Sequence, residues 1–320
     1  MIPPGEGNLN GIPVIDPAGI ARKELDVSYT PGKPHPMRKL DVYLPEEGGG
    51  PFPVLIHMHG GGFVGGLKND AHVVSYLTEA LKRGYAFASV EQRLCSPKPG
   101  GAFDAEGCFP NPLFDFKAAI RFLRANAGRF MLDPDRFALL GPSAGGYHVA
   151  MAAATQDVQA MYDPSLGFSD VSGKVQAVVD LFGVGDLALQ AAFPGAGKQN
   201  QPDSQPVSQA GAGLAGAGLA PNFADVFFGA EVLKHPNLAY FANPETWVTP
   251  DMPPILIQAG EADQVVPVEC SRSLAKRIAA VCGKERVEYD EFPGYIHGDE
   301  RFHDPANHER MFAWIKGKLS

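Results

Sequence analysis

A short apolar run, Arg136-Phe137-Ala138-Leu139-Leu140, leads directly into Gly141-Pro142-Ser143-Ala144-Gly145, and a stretch rich in helix formers, 146–154, follows. Strand, sharp turn and helix in immediate succession fit few architectures. The turn matches G-x-S-x-G, and in this context it reads as a nucleophile elbow. A serine on so tight a turn sits in strained backbone. Side chains at Gly141 and Gly145 would crowd the neighbouring strand and helix. The strain lifts the Ser143 hydroxyl above the sheet, where a carbonyl substrate and a histidine can both reach it.

A second glycine motif supports the same chemistry. Val54-Leu55-Ile56-His57-Met58 reads as a buried strand running into His59-Gly60-Gly61-Gly62-Phe63. Acyl transfer develops negative charge on a carbonyl oxygen, and fixed backbone N–H groups stabilise it without reorganising. An H-G-G-G turn supplies such donors together with the residue after the nucleophile. The candidate oxyanion hole is therefore Gly61, Gly62 and Ala144. A phosphate cradle would want Lys followed by Ser or Thr after its glycines, and Lys68-Asn69 does not fit.

The chain of 320 residues is within reach of one large α/β domain with insertions, and a single domain over 1–320 is expected. Its net charge, 27 − 36 = −9, argues against nucleic-acid binding and against a basic membrane surface. No apolar run approaches the ~18 residues that span a bilayer. The first residues lack the charged and apolar regions of a signal peptide. A cytoplasmic location is expected for a complete chain, and export if a leader has been removed. Four cysteines are too few for a disulfide framework. Cys95 and Cys108 bracket a Gly/Pro-rich loop that a bridge would brace. Cys270 and Cys282, about 18 Å apart along one helix, read as unbridged, buried thiols.

Two alternating runs, 23–29 and 38–44, read as half-exposed antiparallel strands separated by a Pro/Gly turn. From Pro51 onward, buried strands (53–58, 85–91, 136–141, 175–182, 254–259, 286–292) alternate with amphipathic helices (70–83, 112–128, 144–155, 267–281, 305–318). This predicts a mostly parallel sheet covered on both faces, with the site at the carboxyl ends of its strands. The segment 190–222 breaks the rhythm. Its Gly/Ala-rich stretch reads as a flexible insertion, either a lid over that edge or a tolerated surface loop.

Ser143 needs a base held by a carboxylate. In this arrangement the order is serine, acid, histidine. Asp263, on the loop after Ile255-Leu256-Ile257-Gln258-Ala259-Gly260, is the chosen acid, with Glu261 next. His297 follows the last strand and the turn Phe292-Pro293-Gly294, and is preferred to His303 and His308. His59 is expected to orient the oxyanion loop. His35, His57, His72, His148 and His235 read as core or surface residues. The group His297, Asp299, His303 and Asp304 does not have the helical spacing of a metal site.

These residues resemble the α/β-hydrolases of the hormone-sensitive-lipase-like and bacterial feruloyl-esterase-like type, over roughly residues 20–319. The resemblance rests on His59-Gly60-Gly61-Gly62-Phe63, Gly141-Pro142-Ser143-Ala144-Gly145-Gly146, Gly260-Glu261-Ala262-Asp263-Gln264-Val265-Val266-Pro267 and His297-Gly298. Pro142 before the serine and Tyr295-Ile296 before the histidine depart from the common pattern. The resemblance implies hydrolysis of carboxylic esters without metal or organic cofactor. It also suggests short-chain acyl or aromatic-acid esters, for instance acetyl or feruloyl esters of sugars, as small-molecule substrates. Phe63, Phe223 and Tyr295 are candidate lining residues, with core packing an equal explanation. The rivals are a serine peptidase, a lyase using the same triad, and a non-catalytic small-molecule receptor that would be expected to have lost a triad member.

Overall fold

Alternation of buried side chains builds the centre of this molecule. On the third strand, Val54, Ile56 and Met58 enter one apolar cluster while Leu55 enters a second. The period of two sends successive residues to opposite sheet faces, so both faces need helical cover. The computed structural model describes residues 17–95, 104–193 and 222–320. Its strands are β1 (Lys23–Ser28), β2 (Lys39–Tyr43), β3 (Phe52–Met58), β4 (Ala86–Val90), β5 (Leu132–Pro142), β6 (Ala177–Leu181), β7 (Ile255–Gly260) and β8 (Val287–Phe292). They form one eight-stranded sheet in the order β1-β2-β4-β3-β5-β6-β7-β8. β1–β2 and β2–β4 pair antiparallel, and the remaining pairs are parallel.

The α-helices among the described residues are α1 (Val73–Lys82), α2 (Asn111–Ala125), α3 (Ala144–Ala154), α4 (Leu187–Ala192), α5 (Phe223–Phe228), α6 (Pro236–Ala242), α7 (Val268–Cys282) and α8 (Pro305–Leu319). Leu113 and Phe116 of α2, Val149 of α3 and Leu274 of α7 pack with Val54 and Ile56. Val73 and Leu77 of α1, with Phe312 and Ile315 of α8, pack with Leu55 and Leu140 on the other face. The expected α/β class, the parallel core and the five long helices are present. The ends shift by a few residues: α1 starts at Val73, α2 ends at Ala125, and β5 starts four residues early, at Leu132.

Two readings change, and the open pairing of Cys95 with Cys108 is answered. β2 is not half-exposed, because Leu40, Asp41, Val42 and Tyr43 are all buried. Its polar residue is covered by the Lys68 ammonium, which lies 2.9 Å from the Asp41 carboxylate and 3.1 Å from Asp26. Cys95 and Cys108 are free thiols, both directed at the Val226 carbonyl oxygen (2.9 and 3.7 Å). Cys270 is a buried thiol as expected, whereas Cys282 is only partly buried. Of the segment 190–222, residues 194–221 lie outside the described residues; α4 occupies its start, and Asn222 caps α5.

The strand order reverses direction around β3, with β4 on one side and β5 on the other. Chain connections leave the sheet on opposite sides there, opening a crevice at the carboxyl ends of β3 and β5. Both glycine motifs emerge at this point. A Cβ on Gly145 would lie 2.1 Å from the Met58 carbonyl oxygen, and one on Gly141 would lie 2.3 Å from that of Gly145. Only glycine lets α3 start this close to β3.

Two buried histidines make stability depend on pH. His57 is stacked between Tyr76 and Phe87, and His148 is enclosed by Phe63, Tyr147 and Phe227. Burial, reinforced by the nearby His59, pushes each from 6.5 down to about 3. Below pH 6.5 the unfolded chain takes up protons that the folded chain refuses, so acidification favours unfolding. Asp180 opposes this. Burial raises its carboxyl to about 7, and the stability it contributes is lost as pH rises through that value. His303, which burial lowers to about 4, acts in the same direction as His57 and His148, so the histidines outweigh the carboxyl and stability should fall as pH drops from 6 to 4.5. Urea midpoints measured across that range should fall with pH. A flat or rising series would contradict the assignment.

Candidate active site

Ser143 caps the N-terminus of α3 with φ +56° and ψ −122°, outside the regions common to non-glycine residues. Its N–H donates to the Leu181 carbonyl (2.8 Å), so the end of β6 braces the elbow from the side. The hydroxyl lies 2.9 Å from Nε2 of His297. Nδ1 of His297 lies 2.7 Å from Oδ2 of Asp263. With the ring in its Nδ1–H tautomer, serine donates to Nε2 and Nδ1 donates to the carboxylate.

Each partner is set by the chain around it. Asp263 lies just beyond the end of β7, and its side chain is almost wholly enclosed. Oδ1 accepts the N–H groups of Val265 and Val266 (2.8 and 2.9 Å), leaving Oδ2 for the histidine. Hydrogen bonds to both oxygens offset the cost of enclosing this side chain. Glu261, the alternative acid, is exposed. His297 sits on the loop between β8 and α8. Of the alternatives, His303 bonds Ser75 (2.7 Å), and His308 lies on α8 beside Tyr76. Asp299 is paired with Arg301 (2.6 Å).

The oxyanion loop is held from below. His59 Nδ1 donates to the Gly60 carbonyl (2.7 Å), and Nε2 bonds Oε1 of Glu91 (3.0 Å). Burial pulls the His59 pKa down, but the hydrogen bond and charge of Glu91, with the Gly60 carbonyl, outweigh it and raise it above 6.5. Glu91 also accepts the Lys68 N–H (3.2 Å), and Lys68 reaches on to Asp41. His59 thus joins the Gly60 carbonyl to Glu91. Its partners Glu91, Lys68 and Asp41 went unnoticed in the sequence. The available signal was an acid directly after a buried strand, Glu91 behind Ala86–Val90.

Gly61 has φ +110°, and a Cβ there would lie 2.2 Å from the Gly65 carbonyl oxygen. Its own carbonyl accepts the N–H groups of Val64 and Gly65 (3.2 and 3.0 Å), closing the turn over His59. Ala144 opens α3, where main-chain N–H groups have no partner within the helix and the helix dipole favours negative charge.

The candidate lining residues separate. Phe223 lies against the loop, within 2.7 Å of where a Gly62 Cβ would be. Phe63, at φ +67°, is turned into the core and stacks on Phe227 with centroids 4.0 Å apart. Tyr295 stacks on Phe292 (4.7 Å) beneath the Arg301 guanidinium (3.9 Å). For these two, packing is the better explanation. Among the described residues no helix is long and apolar enough to cross a membrane.

A model of the BD-FAE family matches residues 40–278, which takes in the oxyanion loop, the elbow and the acid. Esterase LipC of Mycobacterium tuberculosis is 30% identical over 82% of this chain and 57% of its own length. The probable carboxylic ester hydrolase LipM of the same organism is 28% identical over 76% of this chain and 48% of its own length. The chain thus spans about half the length of these curated relatives. A truncated carbohydrate esterase from gut microbiota superposes with a TM-score of 0.73 at 24% identity, covering 94% of this chain and 97% of that one.

Proposed function

The chain belongs to the BD-FAE family of the α/β-hydrolase superfamily, and we propose that it hydrolyses carboxylic esters through an acyl-enzyme on Ser143. The observation that carries this reading is the continuous hydrogen-bonded chain Ser143–His297–Asp263. His297 Nε2 takes the hydroxyl proton as Ser143 Oγ attacks the ester carbonyl carbon. The Asp263 carboxylate stabilises the imidazolium that forms. Charge on the carbonyl oxygen is met by the N–H groups of Gly61, Gly62 and Ala144, each typically worth ~2.7–4 kcal/mol at the transition state. His297 then protonates the departing alcohol. Water, deprotonated by the same nitrogen, attacks the acyl carbon; Oγ leaves, recovers its proton and releases the acid. No step draws on a cofactor. A receptor would have no use for this relay.

The substrates proposed are short-chain or aromatic-acid esters, such as acetyl or feruloyl groups on sugars. The support is the fold shared with the gut carbohydrate esterase and with an acetyl ester-xyloside bifunctional hydrolase of Caldicellulosiruptor lactoaceticus. The test is intact-mass spectrometry after exposure to a fluorophosphonate, alongside kcat/KM for p-nitrophenyl esters from acetate to palmitate and for methyl ferulate. A single adduct is expected, with turnover highest on acetate to butyrate or on the ferulate. Absence of an adduct overturns the acyl-enzyme, and preference for palmitate overturns the substrate class.

A further inference from the structure

The turn that ends β6 touches both halves of the relay. Leu181 accepts the Ser143 N–H, as described above. The next residue, Phe182, has φ +44°, which large side chains seldom adopt. Its N–H donates to the Gln258 carbonyl on β7 (2.7 Å), the strand that leads to Asp263. The Asp180 carboxylate closes the turn by accepting the Gly183 N–H (2.9 Å). That carboxylate is wedged in place: a Cβ on Gly146 or on Gly183 would lie 2.2 Å from its Oδ1.

The backbone so held sends the Phe182 ring against the His297 imidazole. Their centroids are 4.9 Å apart with planes at 72°. Phe302 supports Phe182 at 4.7 Å and is itself packed on Tyr295 and Phe292. Phe182 is buried and has no part in the chemistry described so far. The two hydrogen bonds of His297 leave from Nδ1 and Nε2, on either side of Cε1 and at a wide angle to each other. They fix the line between serine and aspartate but allow the imidazole to roll about it. A contact from the side removes that freedom.

We propose that Phe182, held by the Asp180–Gly183 turn, is a positioning residue that stops His297 from rolling out of the orientation that serves Ser143 and Asp263 together. The proposal rests on the esterase reading above. Its test compares wild type with Phe182→Ala and Phe182→Leu. The readouts are kcat and KM on p-nitrophenyl acetate, Tm, and the low-field proton resonance of the His297 Nδ1–H shared with Asp263. In Phe182→Ala, kcat should fall about 10–100-fold, the loss expected of a misplaced catalytic group, with KM unchanged. The resonance should broaden. Phe182→Leu keeps the core filled, so its Tm should stay near wild type while kcat is still reduced and the resonance still weakened. Wild-type kcat in both variants overturns the proposal. So does a loss of Tm with a wild-type resonance, which would leave Phe182 a packing residue only. If Phe182→Ala does not fold, Phe182→Leu decides by the same readings. A wild type that neither turns over ester nor takes the fluorophosphonate removes the esterase reading instead. The resonance, which needs no turnover, still reports whether Phe182 holds the ring.

Discussion

Ser143→Ala should abolish the fluorophosphonate adduct and lower kcat on p-nitrophenyl acetate by about 10⁴–10⁶-fold, with KM little changed. The loss is large because, in the proposed mechanism, one oxygen serves as nucleophile, acyl carrier and leaving group. Removing it leaves His297 and the oxyanion donors intact but with no covalent intermediate to stabilise. Any residual rate reflects those donors and binding alone. The substitution should not harm the fold. Alanine removes a single oxygen, and the Ser143 N–H bond to Leu181 is made by backbone. It keeps a side chain at φ +56°, so the strain of the elbow is unchanged. Tm measured beside kcat separates the two effects. A variant that folds and retains more than about a hundredth of the wild-type rate would point to another nucleophile, since the loss expected of a true one is far larger.

The relay was legible in the sequence because each member lies beside a strand end. A parallel sheet gathers its strand ends along one edge, so the order of motifs fixes their meeting place. Ser143 follows β5, Asp263 follows β7 and His297 follows β8. What could not be read depends on contacts between distant segments. Lys39-Leu40-Asp41-Val42-Tyr43 alternates as a half-exposed strand would, yet Asp41 is buried because Lys68 folds back over it. The support of the oxyanion loop by Glu91 follows from the same fold-back. Phe63, beside Gly62, fitted a pocket or the core equally well by sequence, and its ring is turned inward onto Phe227 at a positive φ. Helices α4, α5 and α6, of six or seven residues each, are too short for a periodicity to emerge and owe their existence to packing. Phe182 carries no motif at all, since its place against His297 depends on a turn closed by Asp180.

The carboxylate of the relay gives the second large effect. Asp263→Asn should lower kcat by about 10⁴-fold near neutral pH while leaving the fold intact. The reason lies in how the two oxygens divide their work. Oδ1 accepts two N–H groups, from Val265 and Val266, and an amide oxygen in that position would still accept both. The amide must therefore place its NH₂ where Oδ2 now faces His297 Nδ1 at 2.7 Å. An NH₂ group only donates, so Nδ1 must become the acceptor and the ring proton must move to Nε2. Nε2–H then faces the Ser143 hydroxyl at 2.9 Å and cannot take its proton. The histidine remains, but in the tautomer that cannot act as base. The surrounding hydrogen bonds survive, so Tm should fall much less than kcat. Glu261→Gln is the control. Its side chain is exposed and lies two residues from the carboxylate that reaches His297, so kcat should stay at the wild-type level. If Glu261→Gln abolished turnover and Asp263→Asn did not, the acid of the relay would be Glu261, and the backbone bonds to Asp263 would serve only to cap the turn into α7.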